Sequence, residues 1–140
     1  MRRKAIAALL LALALLLTAC AGGDITSEQV HLFYAARTET ARGGDAITSI
    51  KARIPGWADM TTNERAEQVL ERLLSGAAQG VGSPIPEGTE LLGCEVVGGT
   101  ASVDFSAPYG ELSGMALTIA DYCVTLSLTQ IPGIYAVRIT

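Results

Sequence analysis

Side chains able to perform nucleophilic or acid–base catalysis are few in this sequence of 140 residues. His31 is the only histidine, so a Ser-His-Asp triad would have to use it, and it stands in a run of residues typical of a β-strand. Asp104 and Ser106 flank Phe105, but no base accompanies them in the pattern, and the end of a strand explains them better. We therefore expect no catalytic residue and no enzyme activity.

The sequence also offers little support for a metal site. Glu64, Glu67 and Glu71 lie on the solvent side of a predicted helix, where charged residues usually serve solubility. No stretch has the ligand spacing of a calcium loop. With one histidine in the chain, a His-based metal cluster cannot be assembled. We expect neither a metal ion nor another cofactor.

Cys20 stands at the end of a segment with the anatomy of an export signal. Residues 1–4 form a cationic head, and residues 5–17 are an uninterrupted run of 13 apolar residues. A membrane-spanning helix needs roughly 20, so a cleaved signal is favoured over a permanent anchor. Leu17-Thr18-Ala19-Cys20 resembles the lipobox of bacterial lipoproteins. The resemblance implies cleavage before Cys20 and diacylglyceryl transfer to its thiol; the alternative is a secretory signal followed by an incidental cysteine.

This signal divides the chain into a signal peptide at residues 1–19, a lipidated tether at 20–28 and one domain at 29–140. Lipid on Cys20, palmitate included, would anchor the domain to the outer face of the cell membrane, outside the cytoplasm. All 14 acidic residues but only seven of the ten basic residues follow Cys20, so the exported part has a formal charge of −7. This acidity argues against nucleic acid as a partner.

The hydrophobic pattern of residues 29–140 predicts five strands and two helices in the order ββαββαβ. This order predicts an α/β (α+β) fold, a two-layer sandwich whose mixed sheet carries two helices on one face. The predicted strands are residues 30–34, 47–54, 91–97, 100–105 and 134–139; one helix begins at a Thr61–Glu64 capping box and ends before Gly76, and the other covers residues 114–128. The apolar stripes of the helices are Ala66, Val69, Leu70, Leu73 and Leu74, and Ala116, Ile119, Ala120, Cys123, Val124 and Ser127.

Gly98-Gly99 between two strands indicates a two-residue hairpin turn, which fixes the residues that face each other. The apolar face would pair Val96 with Ala101, Cys94 with Val103 and Leu92 with Phe105. The opposite face is polar, and no helix is assigned to it. It carries Glu95, Val97, Thr100, Ser102 and Asp104.

Cys94 and Cys123 are both predicted to point into the core, one from the hairpin and one from the second helix. Export would place them where thiols are oxidised, and Cys20 is committed to lipid, so we expect a disulfide between them. The alternative is a pair of buried free thiols that act as small apolar residues.

A combination of five segments carries a family resemblance: Leu32-Phe33-Tyr34, residues 66–76 in the first helix, Ser83-Pro84-Ile85-Pro86-Glu87-Gly88-Thr89-Glu90-Leu91-Leu92, Ala101-Ser102-Val103-Asp104-Phe105-Ser106 and Thr125-Leu126-Ser127-Leu128-Thr129-Gln130-Ile131-Pro132-Gly133. In this order, over about residues 30–139, the chain resembles the GerMN domain of sporulation and spore germination, found in extracytoplasmic proteins and lipoproteins of Gram-positive bacteria. The resemblance implies a non-catalytic role, as a ring-building module of spore envelope complexes or in a lipoprotein that associates with a sensor kinase. Cys94 and Cys123 depart from the family pattern, and the chain ends at Thr140, where members continue into a Val-Asp-Gly turn, as in a shortened variant or a truncated gene product.

Two hypotheses of function follow. In the first, a non-enzymatic lipoprotein binds envelope proteins or copies of itself, in sporulation or germination. Its partner surface would be the polar face with Glu95, Thr100, Ser102 and Asp104, and Trp57 could be an exposed anchor unless it packs against the first helix. In the second, the same polar face binds a small ligand or peptidoglycan, which a deep apolar pocket with converging polar groups would favour.

Overall fold

A computed structural model of the chain describes residues 29–37, 44–76 and 80–140. The predicted signal peptide, the lipid site at Cys20 and the tether lie outside the described residues. Within the described part of the chain, no helix is both long enough and apolar enough to cross a membrane.

All five predicted strands and both predicted helices are present. The structure adds a two-residue strand, a four-residue helix and a 3-10 turn, which are too short to show a hydrophobic period. In chain order the elements are β1 (Gln29–Ala36), β2 (Ile47–Arg53), the 3-10 turn (Trp57–Asp59), α1 (Thr62–Leu74), β3 (Val81–Gly82), β4 (Leu91–Val97), β5 (Thr100–Phe105), α2 (Ala107–Gly110), α3 (Gly114–Thr129) and β6 (Ala136–Ile139).

Strand β1 lies at the centre of the first sheet. Its alternation buries Val30, Leu32 and Tyr34, as predicted, and leaves His31 exposed on the other side. β2 runs antiparallel to β1, with Ile50 opposite Leu32. β3 pairs with the opposite edge of β1 only at its end, so most of that edge needs other hydrogen-bond partners.

Helix α1 begins with the predicted capping box. The backbone N–H of Glu64 donates to Thr61 Oγ1, and the Glu64 carboxylate accepts from the backbone N–H of Thr61 at 2.7 Å. These hydrogen bonds lower the pKa of Glu64. The predicted apolar stripe of α1 is confirmed, since Ala66, Val69, Leu70 and Leu73 are buried and Leu74 packs against the core.

The β4–β5 hairpin confirms the predicted turn and most of its register. Gly98 and Gly99 have φ of 57° and 80°, as a type I′ turn requires. Val96 lies opposite Ala101 and Cys94 lies opposite Val103, as predicted.

The predicted pairing of Leu92 with Phe105 is wrong. Leu91 faces Phe105 instead, because a β-bulge between Leu91 and Gly93 inserts one residue into β4. Leu92 is consequently 60% exposed rather than part of the core. A hairpin register extrapolated from its turn cannot anticipate such an insertion.

The strands form two three-stranded sheets, β2-β1-β3 and β4-β5-β6, rather than one mixed sheet. In the second sheet, β4 and β5 are antiparallel, and β6 joins β5 in parallel. α1 contacts β1 and β4, while α3 contacts β1 and β6, so each helix packs against both sheets. The α+β class is confirmed, and the sheets and helices share one hydrophobic core.

Helix α3 buries four residues of the predicted stripe, Ala120, Cys123, Val124 and Ser127, and leaves Ile119 half-buried. Ala116, predicted on the same stripe, is exposed. The first turn of α3 borders an open cleft, described below, which Leu117 lines while it also packs against the core.

Candidate functional site

The outer face of the second sheet collects the polar residues that the hairpin pattern predicts. Glu95 on β4, Ser102 on β5 and Arg138 on β6 lie side by side across the three strands. Glu95, Asp104 and Arg138 are exposed, and Thr100 and Ser102 are half-buried. We call this surface the outer face; it comprises Glu95, Val97, Thr100, Ser102, Asp104 and Arg138.

Arg138 is the member of the outer face that the hairpin pattern alone misses. It joins the row because β6 pairs with β5, an association between strands separated by helices α2 and α3. Alternation within residues 134–139 already separates Arg138 from Val137 and Ile139, but it does not say beside which strand the segment lies. The face therefore contains both a cation and carboxylates, with the exposed apolar side chain of Val97 among them.

Trp57 lies apart from the outer face, beside the start of α1. Its ring packs against the core, and the Arg65 guanidinium carbon lies 5.3 Å from the ring centroid. Arg65 also donates hydrogen bonds to the carbonyl oxygens of Trp57 and Ala58 at 3.0 and 3.2 Å. This geometry matches the alternative of packing against the first helix, and the ring is half-buried.

An open cleft of about 480 Å³ lies on the other side of the second sheet from the outer face. The sequence did not predict it, because its walls come from four elements and the loops between them. Its apolar lining includes Phe105, Tyr109, Leu112, Leu117, Val137 and Ile139, and its polar lining includes Ser106, Asp121, Thr125 and Thr140.

Among the described residues that line the cleft, Asp121 supplies the one side-chain carboxylate, and none has a basic side chain. Its Oδ1 accepts a hydrogen bond of 2.8 Å from the Tyr109 hydroxyl. Burial, together with this bond and the nearby charge of Asp121, raises the pKa of Tyr109, so the phenol stays a hydrogen-bond donor. The Tyr109 ring stacks on Phe105 with 4.7 Å between centroids. The cleft thus combines aromatic and aliphatic walls with a single negative charge.

The predicted disulfide is absent, since Cys94 and Cys123 are free thiols in the structure. Both side chains lie on the faces that the sequence predicts, but they have different neighbours. Cys94 is close enough to Glu67 of α1 for the carboxylate to raise the thiol pKa, whereas Cys123 interacts electrostatically with Tyr109 of α2.

The residues considered for catalysis are not assembled into a site. His31 lies on β1, where Nδ1 is 3.4 Å from Ser49 Oγ, while Asp104 and Ser106 lie at the end of β5 in the other sheet. The Ser106 hydroxyl accepts a hydrogen bond from the backbone N–H of Glu90 at 2.8 Å. Among the residues that the structure describes, no three His, Cys, Asp or Glu side chains are grouped to hold a metal ion.

With the fold and these surfaces established, sequence comparison identifies the family. Residues 32–140 match the Germane family, described as sporulation and spore germination. The chain belongs to this family. The Germane match includes the five segments that suggested the resemblance, and it covers both sheets and all three α-helices. No curated protein sequence matches the chain.

Solved structures agree with the Germane assignment at the level of the fold. The first GerMN domain of the sporulation protein GerM from Bacillus subtilis superposes with a TM-score of 0.58 at 21% identity, over 80% of this chain and 82% of that one. The tandem GerMN domains of the same protein give a TM-score of 0.57 at 17% identity, over 86% of this chain and 41% of that one. The superposed part of the chain thus corresponds in extent to one GerMN domain.

Proposed function

We propose that this Germane family member is a non-enzymatic, membrane-anchored extracytoplasmic lipoprotein whose domain binds a protein partner during sporulation or germination. Family membership supports the process, and Leu17-Thr18-Ala19-Cys20 at the end of a short apolar run supports the anchor. The partner is another envelope protein or a further copy of the chain. The outer face is the proposed contact surface.

The observation that carries this proposal is the uncovered outer face. The helices pack on the opposite side of the second sheet, where Ala101, Val103 and Phe105 are buried. The outer face retains carboxylates and a guanidinium in neighbouring positions, together with Val97, which is 66% exposed. Charges of both signs around an apolar residue suit an interface whose charge pattern selects one partner and one orientation.

Crosslinking in living cells, with and without induction of sporulation, tests the proposal. The variant Glu95→Lys with Asp104→Lys reverses two charges of the outer face and should abolish partner capture while leaving thermal stability unchanged. The matched control, Asp45→Lys with Glu87→Lys, makes the same change in net charge at exposed positions elsewhere. If the outer-face variant captures the same partners as the wild type, the proposed surface is wrong.

The cleft is the observation that favours a second candidate, the binding of a small ligand or a peptidoglycan fragment. A sugar-rich ligand needs many hydrogen-bonding groups, yet the walls of the cleft are mainly apolar, and Tyr109 already bonds to Asp121. A ligand site would also lie opposite the outer face rather than on it. Soluble muropeptides that raise the melting temperature of the wild type but not of Asp121→Asn would support this candidate over protein binding.

A further inference from the structure

Strand β6 has a free edge. The backbone N–H groups of Ala136 and Thr140 donate to Gly99 and Val103, and the Thr140 carbonyl accepts from Phe105. In a parallel pair, alternate residues bond to the same neighbour, so the residues between them direct N–H and C=O groups the other way. Val137 and Ile139 therefore present unpaired backbone donors and acceptors at the edge, since β6 ends its sheet among the described strands.

On two other strands, side chains from or next to the helices bond to backbone groups that no neighbouring strand pairs. On β1, the N–H of His31 donates to Gln130 Oε1 at 2.8 Å, Gln130 Nε2 donates back to the His31 carbonyl, and the N–H of Phe33 donates to Ser127 Oγ at 3.0 Å. On β4, the N–H of Val96 donates to Asn63 Oδ1 at 3.0 Å. Closing of this kind is how proteins keep edges from pairing with other chains. No described side chain does so at Val137 or Ile139.

The free edge adjoins the cleft. The side chains of Val137 and Ile139 form its wall on the strand side, while Leu117 and Asp121 of α3 form the facing wall. A strand added beside β6 would continue the sheet, and every second side chain would point toward the cleft. An open edge beside a pocket is the arrangement that proteins use to recognise extended peptides.

We propose that the β6 edge and the cleft together bind an extended segment of a partner protein by strand addition. An apolar side chain of the segment enters the cleft, and a lysine or arginine two residues away reaches Asp121. A basic side chain is chosen because Asp121 is the one side-chain carboxylate among the described lining residues and none of them is basic. The formal charge of −7 beyond Cys20 favours the same choice. This inference rests on the proposed function in one respect, which is that the partner is a protein. The surface that binds the partner is a different one, the β6 edge instead of the outer face.

A second copy of the chain fits this edge poorly. If both outward-facing residues of each copy are to form backbone hydrogen bonds, two β6 strands can pair antiparallel in one register only. In that register, Val137 of one copy lies opposite Ile139 of the other, and Ile139 lies opposite Val137. That register places Arg138 directly opposite Arg138, and like charges in that position are destabilising. β2 also ends its sheet, but it carries Lys51 and Arg53, which would repel a basic segment.

Labelled peptides and the full chain in detergent test the proposal by fluorescence anisotropy at physiological salt. The probe is Ser-Thr-Leu-Thr-Lys-Thr-Ser, in which Leu and Lys share a face. A second peptide replaces Lys with Glu. Two further peptides keep the probe's sequence but are N-methylated on alternate backbone nitrogens. One is methylated at Leu and Lys, and the other is methylated at the Thr residues. The expected result is that the probe binds, the Glu peptide binds at least threefold more weakly, and only one of the methylated peptides loses binding.

The protein variants separate charge from backbone pairing. Asp121→Asn keeps the acceptor for Tyr109 and should weaken probe binding about threefold, as expected for a partly exposed ion pair. Ile139→Pro removes an N–H that does not bond to β5 and should weaken binding about tenfold, whereas Ile139→Val should not.

If the probe and both methylated peptides bind equally well, the proposal is overturned. It is also overturned by a dimer, seen by sedimentation, that Ile139→Pro dissolves, or by a probe that does not bind the wild-type chain. Glu95→Lys with Asp104→Lys should leave probe binding intact, so the two proposals can fail separately.

Discussion

At the scale of single residues, burial governs the chemistry of the two thiols in the domain. Cys123 is fully buried, and Cys94 is partly buried beside Glu67. Desolvation raises the pKa of each thiol to about 11, and the Glu67 carboxylate adds to the effect at Cys94. Because the thiolate is the reactive form, both side chains are expected to be inert in the folded protein near neutral pH.

Thiol alkylation tests the free state of the cysteines. Iodoacetamide should label neither Cys123 nor, except slowly, Cys94 in the folded chain, and it should label both after unfolding without a reductant. Mass spectrometry of the resulting peptides locates each label. Labelling of Cys94 and Cys123 that requires prior reduction would instead reveal a disulfide between them.

Stability should fall in alkaline solution because of the same burial. The folded state holds the thiol proton up to about pH 11, whereas the unfolded state releases it near the ordinary value of 9.0. The free energy of unfolding therefore decreases as pH rises from 9.0 toward 11, and fully buried Cys123 contributes roughly 2 kcal/mol of that loss. Urea unfolding at about pH 8 and about pH 10.5 should show a smaller decrease for Cys123→Ala. Tyr109, whose pKa is also raised, keeps the larger causes of that shift, burial and Asp121, in both proteins. Identical pH dependence would contradict this assignment.

At the scale of elements, local signals predicted structure well where the determinant was itself local. The capping box at Thr61 and Glu64 defines the start of α1, and Gly98-Gly99 defines the hairpin turn. The bulge next to Leu92 was missed, because it depends on how β4 must bend to lie along its neighbours. The division into two sheets was missed for a similar reason, since periodicity identifies strands but not their partners.

The hairpin turn gives a prediction with an internal control. Gly99 has φ of 80°, and a Cβ there would lie 2.7 Å from Cδ2 of Tyr135. Gly99→Ala should therefore destabilise the protein by about 1–2 kcal/mol, through left-handed backbone strain and displacement of the ring. Gly98→Asn should be tolerated, because a Cβ at Gly98 meets nothing within 4 Å and asparagine suits the first position of a type I′ turn. Thermal unfolding compares the two. Equal melting temperatures would mean that the turn does not constrain the hairpin.

At the scale of the whole molecule, the two candidate surfaces differ in how far the sequence reveals them. Most of the outer face follows from alternation about one turn, and only Arg138 requires the β5–β6 pairing. The cleft requires Phe105, Leu117 and Ile139 to meet, although they come from a strand, a helix and a strand separated in sequence. The pairing of β6 with β5 and the packing of α3 against β6 bring them together, and packing of distant segments is not encoded in any short pattern.

The proposed membrane anchor would decide where both surfaces operate. Two acyl chains on Cys20 would hold the chain on the membrane, at about 0.8 kcal/mol for each buried methylene. The formal charge of −7 beyond Cys20 would not favour binding to an anionic lipid surface in their place. Cys20→Ala should therefore either release the domain from the membrane or leave an uncleaved precursor, as cell fractionation and immunoblotting would show. Cys94→Ala is the matched control, since it removes a cysteine outside the lipobox and should stay in the membrane fraction. Mass spectrometry of the wild-type N-terminal peptide completes the test: an unmodified Cys20, or a mature chain that starts elsewhere, would overturn the anchor and leave a secreted domain with the same two surfaces.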